Sequence, residues 1–393
     1  MSGKQSNTPS KRLDNMVKYY LANVKSQDGE LEMEVKFGTK NIRKITRNQF
    51  DNVAKRFTSL GFIASPSQHM LRIQTYNGNT NRISDVRTTI TGLSAISTYC
   101  RTEQITGLAT FEKKYNSSID SDVRTVENDE FNFRVSLNVE KPFDAGRGIT
   151  KTIEENWSEL RKNYRLMNRI TFNHKDYPLK VDLSIVKSSR DANTFSDSGV
   201  VNAPEFYEIE IEVDNNKVML DADAGVLGVK IRTVIKNVLS GLQSTNYPVS
   251  ITEQTSVLEE YQQTLFPNGG LQKFPGFIGP SSFTLQIENI VKQDAELQDT
   301  STPNIRDNYT VTDKADGERK LMFITKNGRI YLIDTNMNVQ FTGAITQKNK
   351  FSGTLIDGEH IQYDKYGAYI NLYAAFDIYY KSGKDQRQNA FYK

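Results

Sequence analysis

The sequence predicts an α+β chain whose first part closes eight antiparallel strands into a barrel, with helices outside and a hydrophilic tunnel within. Three observations predict it. Glu30-Leu-Glu32-Met-Glu34-Val-Lys36 and Glu208-Ile-Glu210-Ile-Glu212-Val213 alternate strictly between charged and apolar residues, the period of a strand with one polar and one apolar face. Amphipathic runs recur at helical spacing: Leu13, Met16, Val17, Tyr20 and Leu21; Phe50, Val53, Phe57 and Leu60; Leu227, Ile231, Val234, Ile235, Val238 and Leu239. Between them lie strand-like stretches at 69–76, 82–91, 95–105, 108–115, 131–139, 165–173, 179–186 and 205–213, parted by Asn, Gly, Asp and Ser turns. Antiparallel closure of such strands sends the polar residues inward and the apolar ones toward the helices.

The two glutamate segments carry the chemistry. Each stands three carboxylates on one side of a strand, about 7 Å apart, where like charges repel. Two readings of the residues stay open. One is a pair of solvated strand faces; the other is a hard divalent cation held between the strands, because Mg²⁺ and Mn²⁺ take carboxylate oxygens and keep positions for water and phosphate. A triphosphate beside such a cation carries about four negative charges and is held best by Arg and Lys. Cations at inward-compatible spacing are Arg87, Lys113, Arg134, Arg165, Arg169, Lys180 and Lys187.

Glu32-x-Glu34-x-Lys36 and Glu208-x-Glu210-x-Glu212 resemble the metal-binding strands of triphosphate tunnel metalloenzymes, which include the RNA triphosphatases of fungal and viral mRNA capping. Lys314-Ala-Asp316-Gly317-Glu-Arg319 is similar to the nucleophile motif of covalent nucleotidyltransferases, and Asp357-Gly358-Glu359 and Phe376-Asp377 to the next two motifs of that superfamily. Their order, over nearly the whole chain, resembles the N-terminal part of the multifunctional capping enzymes of large cytoplasmic DNA viruses.

The resemblance implies that Glu32, Glu34, Glu208, Glu210 and Glu212 hold Mg²⁺ or Mn²⁺, with Glu210 as the residue that orients or deprotonates the attacking water. It implies a phosphate-binding wall that includes Lys36, and it favours Arg165, Arg169, Lys180, Asp182 and Lys187, where RxxxR and KxDxSxxK look like the basic strand pair of viral capping triphosphatases. In the second half it implies a lysyl–GMP intermediate on Lys314, with Asp316, Arg319 and Glu359 contacting the nucleotide and Phe376 stacking on its base. Attack by Lys314 on GTP needs its pKa lowered by burial or by neighbouring cations. Tyr309–Asp313 reads as the strand that delivers it.

These motifs set the expected organisation: a triphosphatase domain at 1–245, a linker with helical pieces at 246–305, and the N-terminal part of a guanylyltransferase domain at 306–393. The helical pieces fall at 252–265 and 284–297, among Pro and Gly punctuation. The chain stops at Lys393, before the glutamate and paired-lysine motifs of that superfamily, so a partial guanylyltransferase is expected, with a methyltransferase region or subunit beyond it. 5′-Triphosphate RNA and GTP are the expected partners.

Bulk properties narrow the class. A net charge of +3 over 393 residues excludes a general polyanion binder, so any grip on RNA comes from local clusters. One cysteine, Cys100, excludes an intramolecular disulfide framework. No stretch approaches the ~18 apolar residues of a membrane span, and the start MSGKQSNTPSKR lacks a signal-peptide core. An intracellular protein of the host cytoplasm or virion, without a membrane partner, is expected. His69 and His174 have no second ligand at metal spacing, and Trp157 reads as a packing residue.

Alternatives come from other classes. A tunnel enzyme acting on thiamine triphosphate, inorganic triphosphate or ATP shares the first motif but has no use for Lys314-Ala-Asp-Gly. An ATP-dependent RNA or DNA ligase uses the lysine motif and leaves the glutamate strands unexplained. A non-enzymatic RNA-binding scaffold binds RNA without metal-dependent phosphate release.

Overall fold

The computed structural model describes residues 9–25, 29–38, 44–77, 82–116, 118–218, 223–273, 275–292, 303–306 and 309–390. The chain divides into two compact units, Met1–Ser244 and Thr245–Lys393.

In the first unit the elements run α1 (Pro9–Asn23), β1 (Glu30–Phe37), α2 (Arg47–Ser59), β2 (Ile63–Ala64), β3 (Gln68–Thr75), β4 (Val86–Thr91), α3 (Leu93–Thr102) and β5 (Ala109–Tyr115). They continue with α4 (Ser121–Arg124), β6 (Thr125–Asn128), β7 (Phe133–Phe143), α5 (Ile149–Glu155), β8 (Lys162–His174), β9 (Tyr177–Ala192), α6 (Phe195–Ser198), β10 (Phe206–Val213) and α7 (Ala224–Leu242). The strand order β1-β10-β9-β8-β3-β4-β5-β7 returns from β7 to β1, with every neighbour antiparallel, so eight strands close into a barrel. Closure is what makes a lumen. The short β6 pairs with β7 at Phe133–Ser136, and β2 pairs with β8 near its end.

The apolar residues of the alternating strands pack outward. Leu31, Met33 and Val35 of β1, Val181 and Leu183 of β9, and Ile209 and Ile211 of β10 meet Met16, Val17 and Tyr20 of α1, Val53 and Phe57 of α2, and Ile231, Val234 and Val238 of α7. Helix α2 starts at a capping box between Thr46 and Gln49, and the Asp223 side chain caps α7 by accepting from Val226 N–H. The stretch 95–105, expected as a strand, is instead helix α3: Ile96 and Tyr99, three apart, bury one face against Leu71, Ile73 and Ile90. Packing there overrides the β-leaning composition of the segment. Trp157 packs beside Tyr99, ring centroids 6.2 Å apart.

The second unit contains α8 (Ile251–Leu265), β11 (Glu318–Ile324), β12 (Arg329–Asp334), β13 (Val339–Ile345), β14 (Thr354–Tyr363), β15 (Tyr369–Lys381) and β16 (Lys384–Asp385). The strands form one antiparallel sheet, ordered β13-β12-β11-β14-β15-β16. Helix α8 buries Val257, Tyr261 and Leu265 against Leu321, Phe323, Tyr331, Ile333 and Leu355. Part of the stretch read as a linker, 246–305, is therefore core of this unit. The helical piece expected at 284–297 is a single 3₁₀ turn, Ile287–Asn289, with 293–302 outside the described residues. Tyr309–Asp313 forms no strand. Among the described residues no helix is long and apolar enough to cross a membrane.

Helices α2 and α7 approach so closely that a Cβ on Gly241 would lie 2.8 Å from Val53 Cα and 2.7 Å from its Cγ2. Gly241→Ala is expected to destabilise the first unit by roughly 1–3 kcal/mol through overpacking. Denaturant unfolding followed by the fluorescence of Trp157, the sole tryptophan, reads this unit alone.

Candidate active site

Because Leu31, Met33, Val35 and Phe37 face the helices, Glu32, Glu34 and Lys36 face the lumen; the same parity turns Glu208, Glu210 and Glu212 inward from β10. The ladders set the partners. Glu34 lies directly across from Glu212, Lys36 from Glu210, Glu210 from Asp182, and Glu212 from Lys180. On the other flank of β1, Glu32 faces Asn138 and Glu34 faces Ser136.

A web of ion pairs fills the lumen. Lys114 of β5 reaches Glu32 at 2.8 Å and both Glu34 and Glu140 at 3.1 Å. Lys36 bridges Glu34 (3.4 Å) and Glu210 (3.1 Å). Asn138 and Ser136 donate to the remaining Glu34 oxygen at 2.8 and 3.2 Å. Arg169 holds Asp182 at 2.7 Å and Glu210 at 3.2 Å, and Thr171 also donates to Asp182. Arg165 pairs with Glu208, and Lys180 stands 4.0 Å from Glu212 and 3.8 Å from Asp214.

Two expected phosphate ligands are not in the lumen. Lys113 shares the outer face of β5 with buried Phe111 and pairs with Asp85. Lys187 lies on the outer face of β9 with Leu183 and Ile185, donating to the Val201 carbonyl. Parity counted from Phe111 assigns Lys114 and Glu112 to the lumen, and parity from Leu183 excludes Lys187. Arg87 does face inward, 3.9 Å from Glu112 and 3.5 Å from Glu140. Arg134 shares the inward face of β7 with Ser136, and its Nε is buried without a hydrogen-bond partner. The sequence reading missed Arg72, Glu112, Lys114 and Glu140. Arg72 sits directly across the β3–β8 ladder from Arg165, its Nε buried without a hydrogen-bond partner and its guanidinium 3.8 Å from Glu112.

The lumen therefore sets like charges directly across its ladders, among them Glu34 with Glu212, Glu210 with Asp182, Lys36 with Arg134 and Arg72 with Arg165. Burial, then Glu140 and Glu212, push Glu32 up to about 8 against the pull of Lys114. Burial, with Asp182, raises Glu212 to about 7 against the pull of Lys180. Glu210 goes the other way: burial opposes its charge, but Lys36 and Arg169 outweigh that and hold it down at about 2. Both of its oxygens are paired with cations, so Glu210 would have to release Lys36 or Arg169 to act as the base the sequence suggested. Burial, then Arg87, lowers the pKa of Arg72.

Among the described residues no three His, Cys, Asp or Glu side chains close on one point, because Glu32 and Glu34 turn to Lys114. The donor set still fits a hard divalent cation. It is all oxygen, drawn from two hydrogen-bonded strands, with carboxylates directly opposed.

In the second unit, Lys314 lies in an irregular segment, its side chain 82% exposed and paired with Asp316. That hydrogen bond raises its pKa, the reverse of the activation expected. Arg319 makes a fork onto Asp357 (3.2 and 2.6 Å), which also accepts from Tyr379. Glu359 lies across the β11–β14 ladder from Arg319, with Oε2 buried and lacking a hydrogen-bond partner. Between Asp357 and Gly358 the register with β15 slips by a residue and leaves Phe376 as a bulge, its ring 40% exposed. Gly358 is required there, since a Cβ would lie 2.6 Å from the Ala374 carbonyl oxygen.

A closed barrel with a charged lumen, followed by a sheet carrying a lysine, an arginine–aspartate fork and a bulged phenylalanine, matches known proteins in the same order. Residues 125–236 match the family model described as mRNA capping enzyme, beta chain, and residues 248–393 match that of the mRNA capping enzyme catalytic domain. The chain is thus similar to capping enzymes in both of its units, the first to the beta-chain family and the second to the catalytic-domain family. A probable mRNA-capping enzyme of Acanthamoeba polyphaga mimivirus is 26% identical over 264 residues, 67% of this chain; the chain spans 20% of that protein's length. The RNA triphosphatase domain of a trifunctional mimivirus capping enzyme aligns with a TM-score of 0.41 at 17% identity, covering 61% of this chain and 99% of that one. The Pct1 RNA triphosphatase of S. pombe aligns at 0.35 and 15% identity, covering 58% and 90%.

Two outcomes are expected of the lumen charges. Glu32 and Glu212 hold protons in the fold that an unfolded chain, with carboxyls near 4.5, releases. Their contribution is therefore full below about pH 4.5 and lost as pH rises through 7 to 8. In EDTA the Trp157-monitored melting temperature should fall between pH 5.5 and 8.5, and Mg²⁺ or Mn²⁺ should offset the fall; a flat profile contradicts this. Lys114→Ala, which removes the cation shared by Glu32, Glu34 and Glu140 while leaving Glu34 to Lys36 and Glu140 to Arg87, should cost roughly 1–3 kcal/mol at pH 8 in the same assay. Lys113→Ala should stay within about 0.5 kcal/mol.

Proposed function

We propose that the barrel removes the terminal phosphate from 5′-triphosphate RNA with a divalent cation, Mg²⁺ or Mn²⁺, held by Glu32, Glu34, Glu210 and Glu212. We propose further that the second unit, in the complete protein, passes GMP from GTP to the resulting 5′-diphosphate end through Lys314. The observation that carries the first reading is the opposition of like charges across the ladders of one lumen, carboxylates at Glu34–Glu212 and Glu210–Asp182 and cations at Arg72–Arg165. Each is unfavourable alone, and a cation on one wall with a polyphosphate on the other relieves both.

A bound divalent cation supplies polarisation of the terminal phosphoryl group. The chain's own residues supply the rest. Arg72, Arg87, Arg165 and Arg169 meet the charge that develops on the phosphoryl oxygens, preorganised by Glu112, Glu140, Glu208 and Asp182. Lys36 and Lys114 sit between the two walls. Glu212, 4.0 Å from Lys180 and directly across from Glu34, completes the carboxylate set that would hold the cation. In the second unit Lys314 must leave Asp316 before its amine can be neutral enough to attack the α-phosphate of GTP.

Release of labelled phosphate from γ-labelled triphosphate RNA tests the first reading. Glu32→Ala, Glu34→Ala and Glu212→Ala should each abolish release, and Arg72→Ala or Arg165→Ala should cost about 2–4 kcal/mol in kcat/KM. Undiminished release in EDTA overturns the reading. For the second, the full-length protein should acquire label from α-labelled GTP on denaturing gels, and Lys314→Ala should remove it.

A further inference from the structure

The two mouths of the barrel differ in chemistry. At the end where β1 begins, Glu30 and Asp214 flank the opening, with Lys180 and Lys217 drawn onto Asp214 at 3.8 and 3.5 Å. Asn215 donates to Glu30 at 2.9 Å and to the Leu31 carbonyl, so the charges of this rim are balanced and internally satisfied. At the other end, where β10 begins and β3 finishes, the inward positions carry aromatic rings. Tyr207 packs outward on Phe50, so Phe206 shares the lumen face with Glu208, and its ring is 38% exposed. Tyr76 extends the lumen parity of Arg72 and Gln74 past the end of β3, and its hydroxyl donates to Asn163 at 2.9 Å. Each ring carries a cation: Lys44 lies 4.7 Å from the centroid of Phe206, and Arg161 5.0 Å from that of Tyr76. Arg165, just inside, continues the positive lining toward Arg72.

An exposed ring at Phe206 and a half-buried one at Tyr76, each with a cation over it and Arg161 also held by Asp191 at 2.6 Å, have at the edge of this lumen the composition of a single-strand nucleic-acid platform: bases stack on the rings and backbone phosphates meet the cations. Resting on the triphosphatase reading above, we propose that the 5′-triphosphate end of RNA enters by the Phe206–Tyr76 mouth, its first nucleosides stacking on these two rings while the phosphates reach inward past Arg165. This mouth, not the lumen, then separates RNA from free polyphosphates.

The test compares kcat/KM for a short triphosphate RNA with that for inorganic triphosphate, which has the phosphates and no base. In Phe206→Ala and Tyr76→Ala the ratio of RNA to inorganic triphosphate should fall about tenfold, as the loss of one stacked base predicts, and Phe206→Trp should restore it. Lys217→Ala at the opposite mouth should leave the ratio where it was. An unchanged ratio in both aromatic variants overturns the inference, as does a fall in Lys217→Ala alone. If the unaltered chain hydrolyses neither substrate, the triphosphatase reading itself fails, and that outcome is distinct from an active enzyme whose ratio ignores the mouth.

Discussion

Return of β7 to β1 brings Ser136, Asn138 and Glu140 alongside Glu32 and Glu34, and lets Lys114, on the far side of β7, reach three carboxylates at once. That clamp is the condition for the rest of the lumen. Without a shared cation, Glu34 would face Glu212 across a ladder in a partly desolvated interior, where repulsion is felt most strongly. With it, negative charge gathers on β1 and β10, while β3, β4 and β8 carry the arginines. The separation of walls follows from parity, because each strand presents alternate residues inward and the helices absorb the others.

The second unit is organised around a different clamp. Asp357, fully buried, holds Arg319 by a fork and takes the Tyr379 hydroxyl, tying β11, β14 and β15 together at the point where β15 bulges. The bulge re-aims Phe376 while the clamp keeps the strands in place. Lys314, outside this framework, is paired with Asp316, with the charge of Glu359 acting on it as well, so its reactivity depends on what displaces the Asp316 carboxylate.

Much of this was legible in the alternating glutamates and the three helical faces, because parity and the 3.6-residue period are geometric and need no partner to be read. What escaped is instructive. Helix α3 is written in Ser, Thr, Ile and Tyr, residues that lean toward strands, and only burial of Ile96 and Tyr99 against β3 and β4 decides it. Lys113 was preferred to Lys114 because a double lysine gives no phase by itself; Phe111 gives it. Arg72 was passed over since nothing local marks it, and its meaning appears only when the ladder sets it against Arg165. Glu210 was assigned a proton-transfer role before the ladders showed Lys36 and Arg169 on its two oxygens. The extended delivery strand before Lys314 required a sheet partner that the sequence does not specify.

Closure of the barrel has a consequence for synthesis. Strand β1 takes one partner from residues 133–140 and the other from residues 210–212, contacts of high sequence separation that form slowly. At ribosomal speeds of about 5–20 residues per second, β1 waits roughly ten to forty seconds for β10 to emerge. Both of its sheet edges lie open until β7 emerges, and one of them until β10 follows, while Glu32, Glu34 and Lys36 remain in water. The alternating charges that later furnish the lumen thus serve first as a guard for the nascent strand, since an edge bearing a charge at every second position is a poor template for pairing with another chain.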